Sequence, residues 1–295
     1  MPFEHARVDD SIVNVQGTPT QVAGSAAARG DTLELSVSIR DPSQDGWSAE
    51  ARGRLVLGKH VSLEDGHVSA TIPHGSLGSA SFDDVSVVAD VAGPLTALVA
   101  TGTVHAVRAD VGPYMLAALS VPFTVAGEHV SVSAKASLLG GELRLEPATV
   151  RDRSLDLVLR ARGLELARLL APTKRVTGSG VIDGELALHV DSKGWSLLHG
   201  ELHARSSGAL VVRDAKWRKL VATPGSQLAV QTRVINALTD FEYSALTAEL
   251  APPGSEKDVR VSLRGRGRTN HQELDIALRA RGVRDIAAHL PGAAP

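Results

Sequence analysis

Alternation of apolar and polar residues, repeated along almost the whole chain, is the sequence feature that most limits what this protein can fold into. In residues 31–40, the apolar positions Leu33, Leu35 and Val37 alternate with polar ones, and residues 184–191 repeat the pattern. About fifteen such segments, most of them bounded by Gly, Asp, Ser or Pro, follow one another. Antiparallel sheets with one solvated face produce this pattern, whereas buried parallel strands are continuously apolar. The sequence therefore predicts an all-β fold, mostly an antiparallel meander.

Helix signals are few and short. They predict helices over residues 112–120, 164–171, 233–240 and 283–290. None of these is long enough to cover a sheet of many strands that has one apolar face. The sheet must therefore fold back on itself into a closed, dry core, or curl into a groove whose apolar lining meets a ligand. Alternation alone leaves both possibilities open.

One internal repeat suggests how the sheet grows. Residues 155–164 read LDLVLRARGL and residues 274–283 read LDIALRARGV, with seven identical positions and three exchanges between aliphatic residues. A repeated strand that leads into a short helix predicts growth along one axis by addition of strands. A chance match between two similar strands is the alternative. We therefore expect residues 1–295 to form one elongated domain.

Composition and motifs argue against most kinds of chemistry. The chain has no cysteine, which excludes disulfides, thiolate nucleophiles and cysteine-based zinc sites. His199 and His203 have the spacing of helical metal ligands, but they lie in an alternating segment, where they are too far apart for one metal. We predict no cofactor, no metal, no catalytic residue and no enzyme activity. A hydrolase site assembled from distant residues remains a rival interpretation.

A basic row near the C-terminus consists of Arg260, Arg264, Arg266 and Arg268. No aromatic residue lies between these arginines, aromatics are only 3% of the chain, and the net charge is −2. Nucleic-acid binding would require stacking side chains or a broad basic field. The row instead predicts a solvated outer face with cross-strand partners such as Glu273 or Asp275, with contact to anionic lipid headgroups as a lesser alternative.

The first residues lack the apolar core of a secretory signal. The longest apolar stretch, residues 115–127, contains Pro122 and falls short of the roughly 20 residues of a membrane span. We therefore expect the chain as given to be soluble, and we expect it to be the C-terminal part of a longer protein.

Three stretches, residues 176–202, 236–250 and 259–290, carry a resemblance to a known family. They combine a Gly-rich entry with two strands, a helix end followed by a Phe-x-Tyr strand, and closing strands with a final short helix. The C-terminal half, most clearly residues 155–290, resembles the bacterial AsmA-like intermembrane phospholipid transport proteins. It is most similar to the YdbH branch, whose C-terminal region is labelled a dicarboxylate transport domain.

The resemblance implies a sheet curled into a U-shaped, taco-like groove that carries phospholipid acyl chains across the periplasm of a Gram-negative bacterium, between inner and outer membranes. It also implies a small outer-membrane lipoprotein that extends the sheet at its C-terminal end. The chain lacks the N-terminal membrane helix of that family and is much shorter, and a C-terminal fragment accounts for both differences.

The apolar positions of the later strands are the expected groove lining. These positions are Leu143, Leu145, Leu155, Leu157, Leu159, Leu186, Leu188, Val190, Leu202, Val259, Val261, Leu263, Leu274, Ile276 and Leu278. The alternative is a structural or adhesive β-repeat protein, in which the same side chains form a closed, dry core.

Overall fold

The computed structural model describes most of the chain. The described residues are 4–15, 18–43, 46–77, 80–150, 154–173, 176–191, 194–213, 239–251, 259–268 and 273–280. By its internal contacts the chain divides into two compact units. The N-terminal unit comprises Met1–Val111, Leu116–Ala136 and Pro147–Asp152, and the C-terminal unit comprises Gly112–Met115, Ser137–Glu146 and Arg153–Pro295.

Eighteen strands account for nearly all of the described residues. The first ten are β1 (His5–Val15), β2 (Thr18–Arg29), β3 (Thr32–Arg40), β4 (Ser48–Leu57), β5 (Val61–Leu77), β6 (Ala80–Pro94), β7 (Val99–Val111), β8 (Tyr114–Ala126), β9 (His129–Leu138) and β10 (Gly141–Thr149). The others are β11 (Leu155–Glu165), β12 (Val176–Ser179), β13 (Val181–Asp191), β14 (Gly194–Ala204), β15 (Gly208–Val212), β16 (Phe241–Leu250), β17 (Val259–Gly267) and β18 (Glu273–Ala280).

The strands belong to one open antiparallel sheet, which confirms the predicted all-β class. In the N-terminal unit, β1 to β7 pair in chain order as a meander. In the C-terminal unit the order of pairing is β10, β11, β13, β14, β16, β17 and β18. The short β12 pairs with β15, which itself pairs with the first residues of β16. The alternating segments of the sequence therefore form strands that pair with one another in the sheet.

Tight turns connect consecutive strands. Between β2 and β3 the chain reverses at Gly30 and Asp31, with Arg29 directly opposite Thr32. Gly30 has a φ of +58°, a left-handed conformation that glycine adopts without steric cost. The Thr32 hydroxyl donates to the Arg29 carbonyl at 2.8 Å, which holds the reversal closed.

The helix predictions have different outcomes. The predicted helix over residues 164–171 is confirmed in part, as α1 (Leu166–Leu170) followed by a 3-10 turn at Ala171–Thr173. The helix predicted over residues 112–120 is wrong, because the chain turns at Gly112 and Pro113 and continues as β8. Gly112 has a φ of +57°, and sheet context overrides the local helix propensity of the residues that follow. The helix predicted over 283–290 and nearly all of that over 233–240 lie outside the described residues.

None of the helices in the described part of the chain has both the length and the hydropathy needed to cross a bilayer.

Candidate functional site

Most of the leucines and valines in the later strands lie on one face of the sheet, which we call the apolar face. Residues directly opposite each other in an antiparallel pair point to the same side of the sheet, so the register fixes which side each position occupies. Leu157 opposes Leu188, and Leu155 opposes Val190. One row across seven strands consists of Leu145, Leu159, Leu186, Gly200, Leu250, Val259 and Ala280, and the next of Leu143, Ala161, Gly184, Leu202, Ala248, Val261 and Leu278.

All fifteen positions of the predicted lining lie on this face, but they are not equally covered. The half-buried side chains are Leu143, Leu145, Leu155, Leu157, Leu159, Leu186, Leu188, Val190, Leu202 and Val261. Leu263 is only 2% exposed and belongs to a closed core. Val259, Leu274, Ile276 and Leu278 are placed here by backbone register alone. The open part of the face therefore consists of leucine and valine side chains that the protein covers only in part.

One end of the apolar face is covered by α1. Leu164 and Ile182 oppose each other in β11 and β13, and Leu166 of α1 packs against them in the buried core. The other core residues are Leu210, Phe241, Tyr243, Leu246 and Leu263. The Leu166 amide donates to the Gly180 carbonyl at 3.0 Å, which ties the start of α1 to the bend between β12 and β13. The face thus passes from a half-exposed surface into an ordinary hydrophobic core.

Tyr243 holds the bend at this covered end. Its hydroxyl donates to the Ser179 carbonyl at 2.8 Å, and its ring is buried, which raises the pKa of the phenol above its ordinary value. Gly180 has a φ of +123°, and a Cβ there would collide with the Tyr243 hydroxyl. Glycine is therefore required at this position both by the backbone conformation and by the tyrosine.

The N-terminal unit has an apolar face built in the same way from smaller side chains. One of its rows consists of Val22, Ile39, Ala49, Ala70, Val87 and Val104, and the next of Gly24, Val37, Ala51, Val68, Ala89 and Gly102. Several of these residues are half-buried and Val37 remains 43% exposed. The predicted lining contains none of these positions, although the alternation of apolar and polar residues in 31–40 already indicates that Val37 and Ile39 share a face.

The opposite face of the sheet is charged and paired. Arg160 lies between Glu185, at 3.0 Å, and Glu146, at 3.5 Å, on neighbouring strands. His189 Nδ1 lies 2.7 Å from Asp156 Oδ1, one residue from the Leu157–Leu188 pair of the apolar face. Exposed pairs of this kind add little stability, about 0.2–1 kcal/mol each. Their main effect is to fix which side of the sheet faces water.

The basic row lies on this charged face, where carboxylates on neighbouring strands pair with its arginines. The sequence predicted such cross-strand partners. Arg264 contacts Asp275 at 3.2 Å, which confirms one of the two predicted partners. Arg260 contacts Glu249 at 3.3 Å. Arg268 and Arg266 both donate to Glu242 and together hold the pKa of that carboxyl below its ordinary value.

A shallow depression of about 770 Å³ lies beside this row and is the place where a hidden catalytic site would be sought. Two of its three carboxylates, Glu242 and Asp275, are engaged by the arginines, and no histidine of the described residues lines it to activate its serines. His199 and His203 are both exposed on β14. Among the described residues, no group of three or more His, Cys, Asp or Glu side chains is placed to hold a metal ion.

Asp183 accepts hydrogen bonds from both the backbone and a neighbouring arginine. Its burial would raise its pKa, but the Gly163 amide, which donates at 2.7 Å, and the Arg205 guanidinium, which donates at 2.8 Å, together hold the pKa below its ordinary value of 3.8. These contacts join β13 to Gly163 of β11 and to Arg205, the residue that follows β14. They therefore secure the covered end of the apolar face.

We expect Asp183→Asn to lower the free energy of unfolding by about 1.5–3 kcal/mol at neutral pH, because hydrogen bonds to a charged group are lost. A depressed pKa in the folded state adds stability above the unfolded pKa and loses it as pH falls through the folded value. The difference between wild type and Asp183→Asn should therefore be constant above about pH 5 and should shrink below pH 4. Urea unfolding at several pH values measures it, and a difference that grows in acid would contradict this account.

A family model described as YdbH-like, intermembrane phospholipid transport protein YdbH, matches residues 46–272. The match includes strands of both units and begins well before the stretch of clearest resemblance in the sequence, residues 155–290. No curated protein and no solved structure matches the chain.

Proposed function

Since the chain belongs to the YdbH-like family of intermembrane phospholipid transport proteins, we propose that it carries phospholipid by seating acyl chains on the apolar face of its sheet. The observation that carries the proposal is the half-exposed state of that face. Ten predicted lining residues, from Leu143 to Val261, are in register on one side of the sheet but are not covered as a core would be.

Acyl chains are the ligand whose chemistry fits this surface. Apolar surface left in water costs roughly 25 cal/mol per Å², and each methylene group that becomes buried contributes about 0.8 kcal/mol. The two rows that cross the face from Leu145 and from Leu143 present only aliphatic side chains and glycine, so they offer no side-chain hydrogen bond that would fix a ligand at one position. Non-directional contacts of this kind favour movement along the face, while charged headgroups stay in water.

The finer parts of the proposal follow from the family. The apolar face lines a U-shaped groove within one elongated domain, and the groove connects inner and outer membranes across the periplasm of a Gram-negative bacterium. A small outer-membrane lipoprotein extends the sheet at the C-terminal end. The protein moves lipid without catalysing a reaction on it.

Site-specific photocrosslinking tests the proposal directly. We expect a benzophenone side chain at Leu188 to crosslink to phospholipid in cells labelled with radioactive phosphate, because Leu188 lies on the apolar face. The same probe at Ser196, which is exposed and pairs with His189 on the charged face, should give no lipid adduct. Equal labelling at the two positions would mean that lipid contact does not depend on the apolar face, and labelling at neither would favour a closed, dry core, so either result would overturn the proposal.

A further inference from the structure

Two glycines interrupt the rows of the apolar face, in the middle of strands where glycine is normally unfavourable. Gly184 of β13 lies between Ala161 and Leu202, and Gly200 of β14 lies between Leu186 and Leu250. Glycine inside a strand loses backbone entropy and offers no side chain for packing. Neither residue has a positive φ, so backbone conformation does not require glycine here.

Leucine side chains fill the space that the missing Cβ atoms leave. A Cβ built on Gly200 would lie 2.6 Å from Leu186 Cδ2 and 3.0 Å from two atoms of Leu250. A Cβ on Gly184 would collide with Leu202 Cδ2. These leucines therefore lie across the neighbouring glycines, along the sheet, instead of standing perpendicular to it as strand side chains usually do.

The N-terminal unit repeats the arrangement with other residues. A Cβ on Gly53 would lie 2.8 Å from Leu63 Cδ1. A Cβ on Gly66 would lie 2.8 Å from Leu63 Cδ2 and would collide with the Val91 carbonyl oxygen. A Cβ on Gly102 would lie 2.8 Å from Phe123 Cζ and would collide with the Val88 carbonyl oxygen. At Gly66 and Gly102 the neighbouring backbone by itself excludes a side chain, so Gly53 is the position that repeats the arrangement of Gly200, with a leucine side chain as its nearest contact.

We propose that these strand glycines determine how much space the apolar face leaves for acyl chains, by letting the large apolar side chains lie flat. The proposal rests on the proposed function and identifies Gly200 as a positioning residue for lipid binding. A methyl group at residue 200 pushes Leu186 away from the sheet, because the backbone lies beneath it and Leu250 contacts the same site. The displaced leucine then occupies the volume of an acyl chain.

The test uses the full chain, incubated with vesicles of phosphatidylethanolamine and phosphatidylglycerol and then re-isolated for native mass spectrometry. We expect Gly200→Ala to retain less phospholipid per protein, by roughly twofold, because overpacking displaces Leu186 into the lipid space. In Gly200→Ala/Leu186→Val the shorter side chain should restore the wild-type amount. Gly75→Ala is the matched control, because its new methyl group would meet only Ile72 Cγ2, at 3.7 Å.

The outcomes distinguish a positioning role of Gly200 from a structural one. A loss in Gly200→Ala that Leu186→Val repairs supports the positioning role when urea unfolding shows that Gly200→Ala is fully folded during the incubation. A loss that matches the fraction of unfolded protein overturns it, since relief of the same clash would also restore a destabilised sheet. Unchanged lipid in Gly200→Ala, or a loss that Leu186→Val does not repair, overturns it. If wild type itself takes up no phospholipid from these vesicles, the proposed function fails and not only this inference.

Discussion

Leu188→Asp should abolish phospholipid binding while leaving the protein folded. Leu188 is half-buried and pairs with Leu157 and Leu197 in the middle of the open part of the apolar face. On an open face a carboxylate stays hydrated, so the sheet tolerates it. An acyl chain that covers the carboxylate removes its water, and burial of an unpaired charge costs many kcal/mol. Because each 1.4 kcal/mol is a factor of ten in affinity, binding should fall below detection.

Phospholipid that copurifies from a Gram-negative envelope, counted by native mass spectrometry and lipid extraction, measures the effect. Ser196→Asp is the control, because it adds the same charge on the opposite face of the same strand pair. Circular dichroism reports whether both variants are folded. A closed core would give a different result, with Leu188→Asp unfolded, Ser196→Asp folded, and no lipid in the wild-type protein.

Alternation was sufficient to predict the fold class and the common face. Because side chains in a strand alternate with a period of two, Leu155, Leu157 and Leu159 must share one side whatever their partners are. The register then adds Leu186, Leu188 and Val190 to the same side. The spacing of the arginines also predicted that the basic row lies on the solvated face, where Arg264 contacts Asp275.

Features that depend on contacts between distant residues could not be predicted from the sequence. Leu263 is buried in a cluster of eight residues from separate strands and α1, and the sequence carries no signal for which of these elements meet. Residues 112–120 have good helix formers, yet sheet context decides their conformation. The sequence shows Gly184 and Gly200 within alternating segments, but it does not show that leucine side chains lie against them.

The covered end of the apolar face should supply far more stability than the open part, and Phe241→Ala tests this. Phe241 is 0% exposed and lies in the core with Leu210, directly opposite it, and Leu246. Truncation of a buried phenylalanine leaves a cavity and costs about 3–5 kcal/mol. Leu157→Ala, on the open part, should cost roughly 1–2 kcal/mol, because less of its surface leaves water on folding.

Urea unfolding followed by circular dichroism gives both free energies, and the lipid content of the same preparations separates the two roles. We expect Phe241→Ala to be strongly destabilised but to keep its phospholipid below the unfolding transition, and Leu157→Ala to show the reverse. If the whole apolar face were a closed core, the two substitutions would lower the free energy of unfolding equally, and neither would change the amount of bound lipid. A sheet that carries lipid must leave part of its apolar surface uncovered, and the stability lost in this way has to come from fully buried residues such as Phe241.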